Sequence, residues 1–350
     1  DDFVLLSDQP FSMPAVGEKN GDTSGLRYSA AHLSRRADVS PVFSHPPNLQ
    51  KGSGPRTSLE RRWWLWGVAK EMARQRAGLF HGTHFSVPWL PLRPSVATVL
   101  DLSPWCYPRW QRGAGRVQRL TPYQLRLGLA SMVVTPTEAV RREAIEHFRL
   151  SPQRVVAVPL AASPHFRPCP MGQSAVPYFL FVGMLEPRKN VETLVEAWRE
   201  VRRTCAVDLV LAGRRREDGP EIAAEPGIRV LGEVADSKLP GLYSGALACL
   251  YPSRYEGFGL PVLEAMQCGA AVIASRDPAV TEVAGGAAVQ VDADHRRGWI
   301  EAMVAAATQP DWREALRSRS LARAKAFSWQ ETARKTREVY AEAIHRFTTG

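Results

Sequence analysis

The chain lacks what a disulfide-stapled, metal-centred or membrane-spanning protein needs. Its 350 residues include only five cysteines, Cys106, Cys169, Cys205, Cys249 and Cys268, odd in number, scattered and without a C-x-x-C pair. That pattern argues against a zinc site and for a reducing, cytoplasmic setting. No apolar run reaches the roughly 18 residues that suggest a spanning helix, no secretory leader is visible, and no segment repeats. Acidic residues are scarce in one half only. Residues 1–168 hold 22 Lys and Arg against 12 Asp and Glu, whereas residues 169–350 hold 23 of each. The formal net charge of +10 therefore belongs to the first half. A basic chain with Trp and Arg clusters can bind nucleic acid through phosphate neutralisation, but here the charge is spread over a whole domain and no nucleic-acid module is recognisable.

What is present is alternation. Apolar runs at 77–82, 95–102, 131–137 and 154–159, then at 178–182, 207–213, 228–234, 246–251 and 270–275, are separated by helical stretches. Strands alternating with helices imply an α/β protein with parallel sheets covered on both faces. The length allows two domains, each able to bury a core, and the proline-bearing stretch 164–177 reads as their linker. Near the start, Leu65, Val68, Ala69, Met72 and Leu79 form a helical stripe that can pack on a sheet. The tryptophans and basic residues beside it, from Trp63 to Arg76, suit an anionic membrane surface or a lipid-linked acceptor. An ordinary buried helix with a solvated basic face fits the same pattern.

The run Tyr251-Pro-Ser-Arg-Tyr-Glu-Gly-Phe-Gly-Leu-Pro-Val-Leu-Glu264 is the most informative stretch. A buried strand leads into a glycine-bearing loop, Pro261 opens a helix and Gly269 ends it. Glu256 falls on the loop and Glu264 in the first helical turn, facing one mouth. Loop glycines allow close backbone approach, and the helix N-terminus favours negative charge. Such a site suits a molecule with hydroxyls at two ends and phosphates between them. The spacing alone also fits a capped surface helix. A second patch has the same layout: strand 178–182, then Gly183-Met-Leu-Glu-Pro-Arg-Lys-Asn190, then a helix from about Val191 to Arg203. Arg188 and Lys189 oppose the dipole at that helix start, so their charge needs another reason than helix stability. A diphosphate leaving group supplies one.

The stretch from Arg254 to Gly269 closely resembles the signature of retaining glycosyltransferases of family 4. The resemblance implies the GT-B fold, two Rossmann-like parallel-sheet domains facing a central cleft. It places an acceptor-binding domain at 1–168, a nucleotide-sugar-binding domain at 169–326 and a helix crossing back to the first domain at 327–350. By this resemblance Glu256 contacts the transferred sugar and Glu264 the ribose. Gly257, Phe258, Gly259 and Leu260 meet sugar and diphosphate through their backbone, and Arg188 and Lys189 clamp the diphosphate after Gly183. Gly232 and Val234 line the base. The resemblance implies a nucleotide diphosphate-sugar donor of the GDP-mannose or UDP-glucose type, with neither a cofactor nor a metal. The expected acceptor is a glycan or lipid-linked acceptor, and the expected setting is cytoplasmic, with the Trp63–Arg76 segment as the candidate for peripheral contact at the inner membrane face.

Two departures from the family stand out. Leu100-Asp101 replaces a frequent His-Asp, leaving Asp101 and the nearby His81 and His84 as candidate sugar or acceptor contacts. Members also usually begin with an earlier strand and a glycine-rich loop, which the stretch from Asp1 does not resemble; the polar segment 18–25 is not expected to replace that loop. Both departures leave a catalytically inert sugar-nucleotide-binding or scaffold protein on the same fold as the alternative. A glycogen-type phosphorylase would need a far longer chain.

Overall fold

The computed structural model describes residues 63–110, 115–169 and 176–349. The expectations about the first strand and glycine-rich loop, and part of the 164–177 linker, lie outside these residues.

Two fully parallel sheets organise the molecule. In the first, β1 (Phe80–Gly82), β2 (Ser95–Thr98), β3 (Met132–Thr135) and β4 (Val155–Ala157) lie in chain order. Helices α1 (Val68–Gln75), α2 (Ser103–Cys106), α3 (Gly115–Arg126) and α4 (Glu138–Phe148) accompany them. The second sheet has the order β10-β9-β8-β5-β6-β7. Its strands are β5 (Tyr178–Val182), β6 (Asp208–Ala212), β7 (Ile228–Gly232), β8 (Ala248–Tyr251), β9 (Val272–Ser275) and β10 (Val289–Val291). Around it run α5 (Val191–Arg202), α6 (Leu239–Gly245), α7 (Leu260–Gln267), α8 (Pro278–Ala284), α9 (Arg296–Thr308) and α10 (Pro310–Ala324). The chain winds outward from β5 to β7 and then resumes on the other side at β8. The order therefore reverses between β5 and β8, and in open α/β sheets ligands bind at the carboxyl ends of strands flanking such a reversal.

The apolar strand Tyr-Phe-Leu-Phe-Val explains why this sheet is covered on both faces. Side chains alternate across a strand, so Tyr178 and Leu180 pack with Tyr243 and Met266, whereas Phe179 and Phe181 pack with Trp198 and Trp299 on the other face. Truncating Phe181 to Ala would cost about 3–5 kcal/mol in so enclosed a position. On α5, Val191, Leu194, Val195, Trp198 and Val201 are buried at helical spacing.

The last helix, α11 (Trp329–Thr349), returns to the first sheet. Val339 and Ala343 close a small core with Val96, Met132, Val134 and Val158. Ser328 caps α11 by accepting from the Glu331 N–H at 3.2 Å. Glu331 itself pairs with Arg334, so only the Ser328 half of a capping box is formed. Leu65 differs from expectation more clearly. Residues Trp63–Gly67 form a π-helical turn ahead of α1, and its extra backbone residue per turn shifts the stripe. Val68 and Met72 enter the core as expected, whereas Leu65 and Trp66 are exposed. Among the described residues no helix is long and apolar enough to cross a membrane.

Candidate functional site

The carboxyl ends of β5 and β8 bring Arg188, Lys189 and Glu256 into one cluster. After β5 the chain turns through Gly183, forms a short 3-10 turn at Pro187–Lys189 and enters α5. Lys189 donates to Glu256 Oε1 at 2.6 Å and to the Tyr251 hydroxyl at 2.8 Å. Arg188 donates from Nη1 to Glu256 Oε2 at 2.8 Å and to the Tyr255 carbonyl at 2.8 Å. Burial alone would push the Glu256 carboxyl up, but Lys189 and Arg188 outweigh it and hold it below its usual range. Burial works against the Arg188 charge as well, and Glu256 with Glu186 outweighs it, keeping Arg188 firmly cationic. A buried charge needs such partners, because desolvation without them costs several kcal/mol.

Around this core lie residues that sequence reasoning passed over. Glu186 bridges Arg188 to Arg216, which also pairs with Asp218. The six side chains carry three charges of each sign. Arg216 had a sequence signal, a basic run after the strand-ending Gly213 that parallels Arg188-Lys189 after Gly183. Asp277 accepts the Glu256 N–H at 3.2 Å and caps α8 through Ala279 and Val280. Burial pushes its carboxyl up to about 6, against the pull of those N–H donors.

Glu264 occupies a different environment in the first turns of α7. It accepts from the Tyr243 hydroxyl at 2.9 Å, and burial pushes its carboxyl up to about 7. Leu260 opens α7, with Gly259 before it at φ +93°. That left-handed conformation is costly for any residue with a Cβ. Phe258 is buried, with its ring edge-on to that of Phe327. Gly232 ends β7 and its carbonyl accepts from Gly213 N–H at 2.7 Å, while Val234 is half-buried beyond it.

Gly257 also has a packing role. A Cβ there would lie 1.9 Å from the Leu100 carbonyl oxygen and 3.1 Å from Asp101 Cβ. The glycine is what lets the first half close onto the loop. Further links cross the same seam. Thr137 donates to the Gly257 carbonyl at 3.1 Å, and Glu282 accepts the N–H groups of Glu138 and Ala139 at 2.8 and 2.9 Å, capping α4 from the other half.

Of the first-half candidates, Asp101 lies at this seam. Its carboxylate accepts from the backbone and hydroxyl of Ser103 at 2.9 and 2.6 Å. His81 is engaged elsewhere. Its ring nitrogens lie 2.7 Å from the hydroxyls of Tyr340 and Thr98, and burial lowers its pKa to about 4. These contacts make it a neutral strut between β1 and α11. His84 is exposed and packs edge-on against Phe85. Leu100 is half-buried against the first core.

Residues 176–309, which carry this cluster, match the model of the family described as "Glycosyl transferases group 1". The O-antigen chain mannosyltransferase B of Escherichia coli is 32% identical over 284 residues, 75% of this chain and 74% of that protein. The chain belongs to the group 1 glycosyltransferases. This transferase also resembles the D-inositol 3-phosphate glycosyltransferase of Kineococcus radiotolerans, at 27% identity over 98% of this chain and 95% of that one. Among solved structures, the sucrose-phosphate synthase of Thermosynechococcus elongatus superimposes with a TM-score of 0.67 at 20% identity, covering 89% of this chain and 88% of the other. Anabaena HepE in complex with UDP and glucose gives 0.67 at 15% identity, covering 83% and 84%. The transferase therefore has the GT-B fold.

Proposed function

We propose that this glycosyltransferase moves a hexosyl unit, mannose before glucose, from a nucleotide diphosphate-sugar to an acceptor hydroxyl with retention, in the synthesis of a cell-surface polysaccharide or glycolipid. The observation that carries the reading is the pairing of Glu256 with Arg188 and Lys189 at the reversal of the second sheet. Residues 169–326 bind the donor, residues 1–168 face the acceptor, and 327–350 tie the two together. The E. coli relative, a mannosyltransferase, favours mannose.

In this reading the two cations shift their hydrogen bonds from Glu256 toward the diphosphate, which carries more charge. Glu256 is thereby released to orient the sugar hydroxyls and to steady positive charge developing at the ring. The bond from the anomeric carbon to the diphosphate oxygen breaks while the acceptor oxygen bonds on the same face. The acceptor proton passes to the departing diphosphate oxygen. Arg188, Lys189 and the N-terminus of α7 stabilise that leaving group, so the step needs no metal. Glu264 accepts the ribose hydroxyls, and Gly232 and Val234 flank the base. Asp101, at the seam, contacts the sugar or acceptor. Incubation with GDP-mannose or UDP-glucose and a glycoside acceptor, with the product's anomeric configuration read by NMR, tests this. An α-linked product from an α-linked donor is expected; a β-linked one refutes retention.

A peripheral membrane contact is favoured by one observation: Leu65 and Trp66 stand exposed next to the exposed Lys70 and Arg74. Apolar and basic groups side by side suit anionic lipid at the inner face of the membrane. Pelleting with phosphatidylglycerol vesicles should then occur and weaken with salt, whereas salt-independent or absent pelleting removes the contact.

A further inference from the structure

We infer that Tyr255 is a positioning residue for Glu256, and that Glu143 of the first half holds it in place. The inference rests on the reading of Glu256 as the group that meets the donor sugar. Tyr255 follows β8 in the second half, yet its ring is buried in the core of the first half, with Val99, Leu102 and Phe148 in the same cluster. The ring centroid of Tyr107 lies 5.0 Å away. The Tyr255 hydroxyl accepts from the Leu102 N–H at 2.8 Å and donates to Glu143 Oε2 at 2.7 Å. Burial and then the Glu143 charge raise its pKa well above the ordinary phenol value, so it stays protonated and remains a donor.

Three successive residues thus have alternate partners. Tyr255 is gripped by the first half and Glu256 by Arg188 and Lys189 of the second. Gly257 again meets the first half, through Thr137 and the Leu100 carbonyl. The peptide between Tyr255 and Glu256 is held from both sides, its carbonyl by Arg188 and its N–H by Asp277. One planar peptide separates the two side chains, so a shift of the first half relative to the second is passed directly to Glu256. Separating the halves would withdraw the Tyr255 ring from its pocket and pull the carboxylate out of line. The acceptor side is in this way mechanically joined to the donor site, and misplacement by about 1 Å at a reacting centre can cost on the order of 100-fold in rate.

The test is a series on the full chain: Tyr255→Phe, Glu143→Ala, Glu143→Gln and the double variant Tyr255→Phe/Glu143→Ala. Turnover, donor KM, nucleoside diphosphate Kd and Tm are measured for each beside the unaltered protein. Tyr255→Phe and Glu143→Ala should each lower kcat about tenfold or more with diphosphate Kd changed less than about twofold. Glu143→Gln, whose amide oxygen still accepts from Tyr255, should keep most of the activity. The double variant should be no worse than the weaker single one, because both changes break one link. Unchanged kcat, additive losses, or loss of kcat and affinity in step with Tm would overturn the inference while leaving the transferase reading intact. Absence of turnover in the unaltered protein with every donor would instead overturn the reading of Glu256, and the positioning role with it.

Discussion

Glu256 and Glu264 lie eight residues apart on one loop and helix, and their surroundings drive them in opposite directions. Two cations within hydrogen-bonding distance keep Glu256 ionised despite its burial. Glu264 instead accepts from a neutral partner, Tyr243, and burial raises its carboxyl to about 7. Identical side chains are thus assigned different work by their neighbours: one is a fixed negative charge, the other a group that titrates near neutrality. The first fits a developing positive centre, the second a set of neutral hydroxyls.

The sharpest way to break this contrast is Glu256→Gln. Transfer should fall about 100-fold or more, roughly 3 kcal/mol of transition-state stabilisation. Diphosphate binding should hold or strengthen, because Arg188 and Lys189 lose a competing partner; near-normal turnover would remove Glu256 from the chemistry. Next in size is the pair Arg188→Ala/Lys189→Ala, expected to weaken nucleoside diphosphate binding by about 30-fold or more and nucleoside binding hardly at all. Equal losses in calorimetry would remove the clamp.

Smaller, but more diagnostic, is Glu264→Gln. Ribose hydroxyls are better held by an ionised carboxylate, so nucleotide affinity should climb up to about tenfold from pH 6 to pH 8 and stay flat in the variant. Stability runs the other way. A carboxyl whose folded pKa is raised stabilises the fold at low pH, and that contribution is lost as pH rises through about 7. Glu264→Gln should therefore resist denaturant better than the unaltered protein at pH 8, by on the order of 1–3 kcal/mol, with little difference at pH 5. A matching pH slope in the variant would assign the titration to another group.

Much of the second half was legible in the chain. The run from Tyr178 to Val182 is apolar without a break because both of its faces are covered, and Asn190 to Arg203 shows its buried stripe at helical spacing. Gly259 before Pro261 marked the helix start for a local reason, a left-handed turn. What could not be read was long-range. Nothing in Glu256 or Lys189 announces that they pair across 67 positions, and nothing in Gly257 says that it makes room for Leu100. The same holds for Tyr255, whose aromatic ring looks like local core but is buried in the other half. Local periodicity encodes which face is buried, not which distant partner buries it. Leu65 failed for a different reason: a π-helical turn alters the period on which the expectation depended.

The most direct measurement is a calorimetric titration of the full chain with GDP, UDP and ADP beside guanosine, uridine and adenosine. One diphosphate should bind at least about tenfold more tightly than its own nucleoside and than the other two diphosphates, since Arg188 and Lys189 engage the phosphates and Glu264 the ribose. Binding of nucleoside and diphosphate with equal affinity, or of none of the three, would contradict a donor site at the Arg188–Glu256–Lys189 cluster.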